Sequence, residues 1–77
     1  MDTAEELASL YIIKENTSQL LYALEDLGFD GLDVSEVDGG YGLFFGDVML
    51  AVGLSEDPVE ATENLLDRAA DIFYHDI

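Results

Sequence analysis

The chain has 77 residues, of which eighteen are acidic and only two basic (Lys14 and Arg68), with one histidine, for a formal net charge of −16. Hydrophobic residues still make up 49% of it, with four Phe and four Tyr, which separates it from a disordered acidic tail, where high charge goes with low hydrophobicity. The length suits one small core rather than two domains with a cleft between them, and zero cysteines exclude a disulfide scaffold, a thiolate metal site and a cysteine nucleophile.

In chain order, Thr3-Ala4-Glu5-Glu6 reads as a capping box, with Thr3 as N-cap and Glu6 reaching back to its amide. Leu7, Leu10, Tyr11 and Lys14 follow at helical spacing. Glu15-Asn16-Thr17-Ser18 then interrupts the pattern with residues that prefer caps to helix interiors. A second apolar stripe, Leu20, Leu21, Leu24 and Leu27, ends at Gly28, placed at C′. The preferred reading is two short helices broken near residues 15–17; one long helix kinked there is the alternative.

From Phe29 the period changes. Leu32, Val34 and Val37 are separated by acids, Asp38-Gly39-Gly40 is a turn signal, and 41–45 is apolar and aromatic. Gly46-Asp47 is a second turn signal, and 48–52 is apolar again. This predicts a three-stranded antiparallel meander at 32–37, 41–45 and 48–53. Ser55-Glu56-Asp57-Pro58 starts the last helix, with Ser55 or Asp57 as N-cap and Pro58 in the first turn. Val59, Leu65, Leu66, Ala69, Ile72 and Phe73 are its expected buried face. The expectation is a single α+β domain over residues 1–77, in the order α(α)βββα, with the helices packed on one face of the sheet.

No apolar run approaches the ~20 residues that span a bilayer. The start MDTAEEL lacks the basic region of a signal peptide, so the expected location is cytoplasmic, that of the host cell if a phage encodes the chain. Two cations against eighteen anions disfavour direct contact with nucleic acid or an anionic membrane, and imply a basic protein as partner. Solubility alone is met by a net charge of magnitude ~2–8 in a small domain. Adaptation to a high-salt cytoplasm is another origin of such a composition.

The positions of the acids say more than their number. Glu25, Asp26, Asp30, Asp33, Glu36 and Asp38 fall within fourteen residues that contain no cation. Glu56, Glu60, Glu63, Asp67 and Asp71 recur at steps of four, three, four and four, on one helical face opposite the apolar stripe. Each step advances roughly 4.5–6 Å along the axis, comparable to the spacing of phosphates along a nucleic-acid strand. Like charges so placed cost a helix about 0.2–0.5 kcal/mol per pair. Asp57 and Glu60 are favourable at the helix N-terminus, whereas Asp71 and Asp76 oppose the dipole.

Catalytic chemistry is poorly supplied. His75 is the only histidine and lies near the chain end. Ser and Thr have no His/Asp partners in pattern, the glycines match turns rather than a phosphate loop, and an EF-hand register ending at Asp38-Gly39 has Val34 and Glu36 at two ligand positions. The expectation is a non-enzyme with no catalytic residues, no cofactor and no metal.

Three resemblances bear on function. Leu27-Gly28-Phe29-Asp30-Gly31-Leu32-Asp33 resembles the attachment loop of acyl carrier proteins, but Gly31 stands where that family carries the Ser that bears phosphopantetheine. Asp38-Gly39-Gly40-Tyr41 with Phe45, Asp47 and Glu60-Ala61 is similar in order to HicB-type antitoxins. That resemblance implies a basic RNA-cleaving toxin as partner, although the Pro-Asp-Leu-Pro-Gly stretch usual after the Phe is missing. As a class, the whole chain resembles small acidic phage-type proteins that imitate nucleic acid, among them anti-restriction and some anti-CRISPR proteins. This last resemblance implies an inhibitor whose carboxylates engage a basic CRISPR-Cas subunit or a nuclease. Tyr22, Tyr41 and Tyr74 are candidate apolar contacts if exposed, and apolar 43–45 and 49–52 are candidates for an open sheet edge and a homodimer.

Overall fold

The computed structural model describes residues 3–74, so His75 and Asp76 lie outside the described residues. The elements are α1 (Thr3–Asp26), β1 (Leu32–Val37), β2 (Gly40–Phe45), β3 (Val48–Leu54) and α2 (Pro58–Phe73). The αβββα order and all three strands agree with the sequence pattern to within a residue. Thr3, however, is already inside the helix rather than at its N-cap.

The main departure is α1, which is a single unbroken helix of 24 residues and not a helical hairpin. Its polar interruption finds partners within the folded chain instead of breaking the helix. Asn16 Nδ2 donates to Thr62 Oγ1 at 3.0 Å, and Thr62 Oγ1 in turn donates to the Val59 carbonyl at 2.7 Å. Thr17 Oγ1 donates to the carbonyl of Lys14, one turn back, at 3.1 Å. Thr62 is only 1% exposed, so the bond from Asn16 sits at the seam between the helices.

The C-terminus of α1 is built as its sequence predicts. Gly28 has φ 96°, a conformation that a side chain resists. The amide of Phe29 donates to Leu24 O and that of Gly28 to Glu25 O, both at 2.9 Å, the paired bonds of a Schellman cap. At the start of α2, Asp57 accepts from the Val59 amide at 3.0 Å and Pro58 occupies the first turn, while Ser55 Oγ accepts from the Asp57 amide at 3.2 Å.

The sheet order is β1-β2-β3. Register runs from Leu32↔Phe45 to Val37↔Gly40 on one side of β2 and from Gly40↔Leu54 to Phe45↔Val48 on the other. Leu43 faces Ala51 while Phe44 faces Met49, so Leu50 is the extra residue of a β-bulge. Residues 43–45 therefore belong to the central strand and offer no free edge; 49–52 lie in an edge strand. Both helices cover the face that carries Val34, Leu43 and Ala51, where these meet Leu20, Leu24, Leu65 and Ala69. Leu66 and Phe73 pack at the margin, whereas Ile72, expected inside, is exposed.

The helices run parallel. Asn16 is level with Thr62, Ile13 lies beside Pro58, and just past α1 the Phe29 ring meets Phe73 edge-to-face at 4.9 Å. Pro58 is therefore level with about residue 12, and the first nine helical residues of α1 project about 14 Å past the start of α2 at 1.5 Å per residue.

The closest approach is at Gly53. A Cβ there would run into the backbone of α2 at Ala61 O and Leu65 N, and would lie 2.8 Å from Leu65 Cα. Gly53→Ala is expected to destabilise the domain by about 1–3 kcal/mol, as overpacking does, read as a lower urea midpoint. An unchanged midpoint would show that α2 lifts away from β3 without cost.

Candidate functional site

The acidic face of α2 follows from its amphipathic spacing. Ala61, Thr62, Leu65 and Ala69 are buried, and Glu60, Glu63, Asp67 and Asp71 project from the opposite side, all exposed. The eleven steps from Glu60 to Asp71 span about 16 Å of axis. Because Leu65 and Ala69 are locked in the core, these four carboxylates are carried on a fixed backbone. Glu56, expected on the same helix, instead lies in the turn before the N-cap.

The six acids of 25–38 are all exposed but do not form one face. Glu25 and Asp26 end α1, and Asp30 lies in the loop that follows. Alternation along β1 puts Asp33 and Glu36 on opposite faces of the sheet. Asp33 Oδ1 also accepts from the Val34 amide at 2.9 Å. Asp38 is in the β1–β2 turn, at the far end from Asp30. Glu36 instead borders the same shallow depression as Glu56, beside Tyr41, Ser55 and Pro58. The structure thus joins members of the two sequence-defined sets at one end of the molecule and leaves Asp30 at the other.

Neither cation neutralises this surface. Lys14 and Arg68 are exposed, and among the described residues no ion pair is formed. Arg68 lies beside Asp67 and Asp71 in a shallow groove that also includes Val52, Leu54 and Asn64. Among the described residues no cluster of three Asp, Glu or His side chains has metal-holding geometry, and no helix is long and apolar enough to cross a membrane.

Exposed apolar residues accompany the acids. On the projecting part of α1, Leu7, Leu10 and Tyr11 are 62%, 61% and 67% exposed. The sequence held a signal for this. On one continuous helix the Leu7/Leu10/Tyr11 stripe is turned roughly 120° from the Leu20/Leu24 stripe, at about 100° per residue, so both cannot face one core. At the other end, Phe29, Leu32, Phe45, Leu50, Ile72 and Phe73 surround a cleft of about 460 Å³ with Asp30 at its rim. Of the candidate tyrosines, Tyr22 and Tyr74 are exposed and Tyr41 is half-buried against the core.

The positions that resemble acyl carrier proteins place Gly31 in the loop just before β1. Those that resemble HicB-type antitoxins place Phe45 and Asp47 on the surface at the β2–β3 turn and Ala61 in the core. No protein family, characterised protein or solved structure matches the chain.

The ladder on α2 has a cost that can be read directly. Asp67 is four residues from both Glu63 and Asp71, so Asp67→Lys turns two repulsive pairs into attractive ones. We expect a gain of about 1 kcal/mol in unfolding free energy at low salt, shrinking in molar salt as screening removes both effects. A loss of stability would show that the carboxylate has a structural role.

Proposed function

We propose that this domain is an inhibitor that presents ordered carboxylates where a nucleic-acid-binding protein expects phosphates. The preferred target is a basic subunit of a CRISPR-Cas effector, and a restriction enzyme or nuclease is the next. The observation that carries this reading is that all eleven nominated carboxylates are exposed and unpaired with any cation among the described residues, four of them on a helix fixed to the core. Lys and Arg lining a nucleic-acid groove would pair with these groups, Arg in bidentate fashion. Since the array is preformed, it avoids the ordering cost that a flexible acidic tail meets on binding. Exposed Leu7, Tyr11, Tyr22 and Phe29 supply apolar contacts that charge alone does not.

The test is capture of a basic protein from host lysate at low salt, release by rising salt, and competition by the target's own DNA or RNA. Two variants divide the surface: Glu25, Asp26, Asp30 and Asp33 all to Lys, and Glu60, Glu63 and Asp67 all to Lys. Each is expected to fold, judged by circular dichroism, and at least one is expected to abolish inhibition. Inhibition that survives both sets rules out mimicry. Capture of an RNA-cleaving toxin in a tight one-to-one complex would favour the antitoxin reading. Unfolding at physiological salt with recovery at molar salt would assign the acidity to salt adaptation.

A further inference from the structure

The two edges of the sheet are treated differently. On β1 the edge carries Asp33 and Glu36, and Asp33 folds back on the Val34 amide, the kind of charge and self-capping that prevents strand addition. On β3 all seven residues of Val48–Leu54 are uncharged, and the strand pairs on one side only, with β2. Met49 and Leu54 are exposed, and Val52 is half-buried. Asn64 Nδ2 donates to the Leu54 carbonyl at 3.0 Å, closing that end of the edge and leaving 49–53 open, with Ala51 at its middle.

A long, uncharged open edge is a template for another strand. The groove beside it indicates which strand. It holds Arg68, one of only two cations in the chain, between Asp67 and Asp71, and among the described residues Arg68 has no carboxylate partner. We propose that β3 pairs antiparallel with β3 of a second copy about a twofold axis near Ala51, making a continuous six-stranded sheet. The two α2 helices then run antiparallel alongside, and the twofold brings Arg68 of each copy next to Asp71 of the other, so that one contact is made twice. No charged residue of either edge strand meets its like. The carboxylates of Glu25, Asp26 and Asp30 lie toward the β1 side, several strand spacings of about 4.8 Å from the axis, where physiological salt screens them over about 8 Å.

This pairing rests on a different observation from the proposed inhibition, although it uses Asp71, and the two respond oppositely to salt. A complex with a basic protein weakens as salt rises, whereas association of two chains of net charge −16 strengthens as their repulsion is screened. Sedimentation equilibrium from micromolar to millimolar chain, at physiological and molar salt, is expected to show a monomer–dimer equilibrium that shifts toward dimer with salt. Met49→Lys and Arg68→Asp are each expected to weaken the dimer by roughly tenfold or more, with circular dichroism unchanged. Adding Asp71→Arg to Arg68→Asp is expected to restore it, because the pair re-forms with its charges exchanged. A monomer under every condition overturns the proposal. So does a dimer indifferent to Arg68→Asp, which would place the contact on the projecting part of α1 or the uncovered sheet face.

Discussion

The rest of the molecule depends on the place where α2 lies on β3 with no side chain between them. Gly53 gives the helix its seat, and Ala61 and Leu65 close over it. A surface with two cations among eighteen acids cannot hold a fold together by ion pairs, and among the described residues none forms. Cohesion must therefore come from close apolar packing and from the buried hydroxyl of Thr62, which takes a bond from Asn16 and gives one to Val59. The small residues along the inner side of α2 let its backbone come that near, and the acidic ladder on its outer side is fixed as a result.

How much of this was legible in the sequence depended on how local its cause was. The Schellman cap at Gly28, the Asp57 cap and the turns at Asp38-Gly39 and Gly46-Asp47 depend on a few adjacent residues, and the strands between them fall where the pattern puts them. The continuity of α1 was not legible, because the residue that satisfies Asn16 is 46 positions away. The same was true of the candidate site. The ladder on α2 could be read from its spacing, since a helix fixes which side chains share a face. The cluster at 25–38 could not, because a cap, a loop, a strand and a turn divide those six acids among several directions.

The apolar residues left outside have a related origin. A helix that carries one apolar stripe near its start and another, turned by a third of a circle, near its end can bury only one of them under a single sheet. The Leu20/Leu24 stripe wins because the sheet is there to receive it; Leu7, Leu10 and Tyr11 run out beyond the body of the domain. Phe29 and Phe45 are left partly open where the two ends of the sheet and α2 meet without a covering element. The surface is thus anionic with apolar islands, a combination suited to an interface in which charge guides approach and packing holds the complex.

Because α1 and α2 run parallel, the domain is electrically polar as well as negative. The positive poles of both helices point to one end, where they partly offset Glu5, Glu6, Asp57 and Glu60. At the other end both negative poles add to Glu25, Asp26 and Asp71, and no basic residue occupies the last turn of either helix. Glu36, Asp38 and Glu56 share the end with the positive poles, so a cationic groove is drawn to both ends of the domain, and the parallel helices make the attraction per carboxylate stronger at the end with Glu25, Asp26 and Asp71.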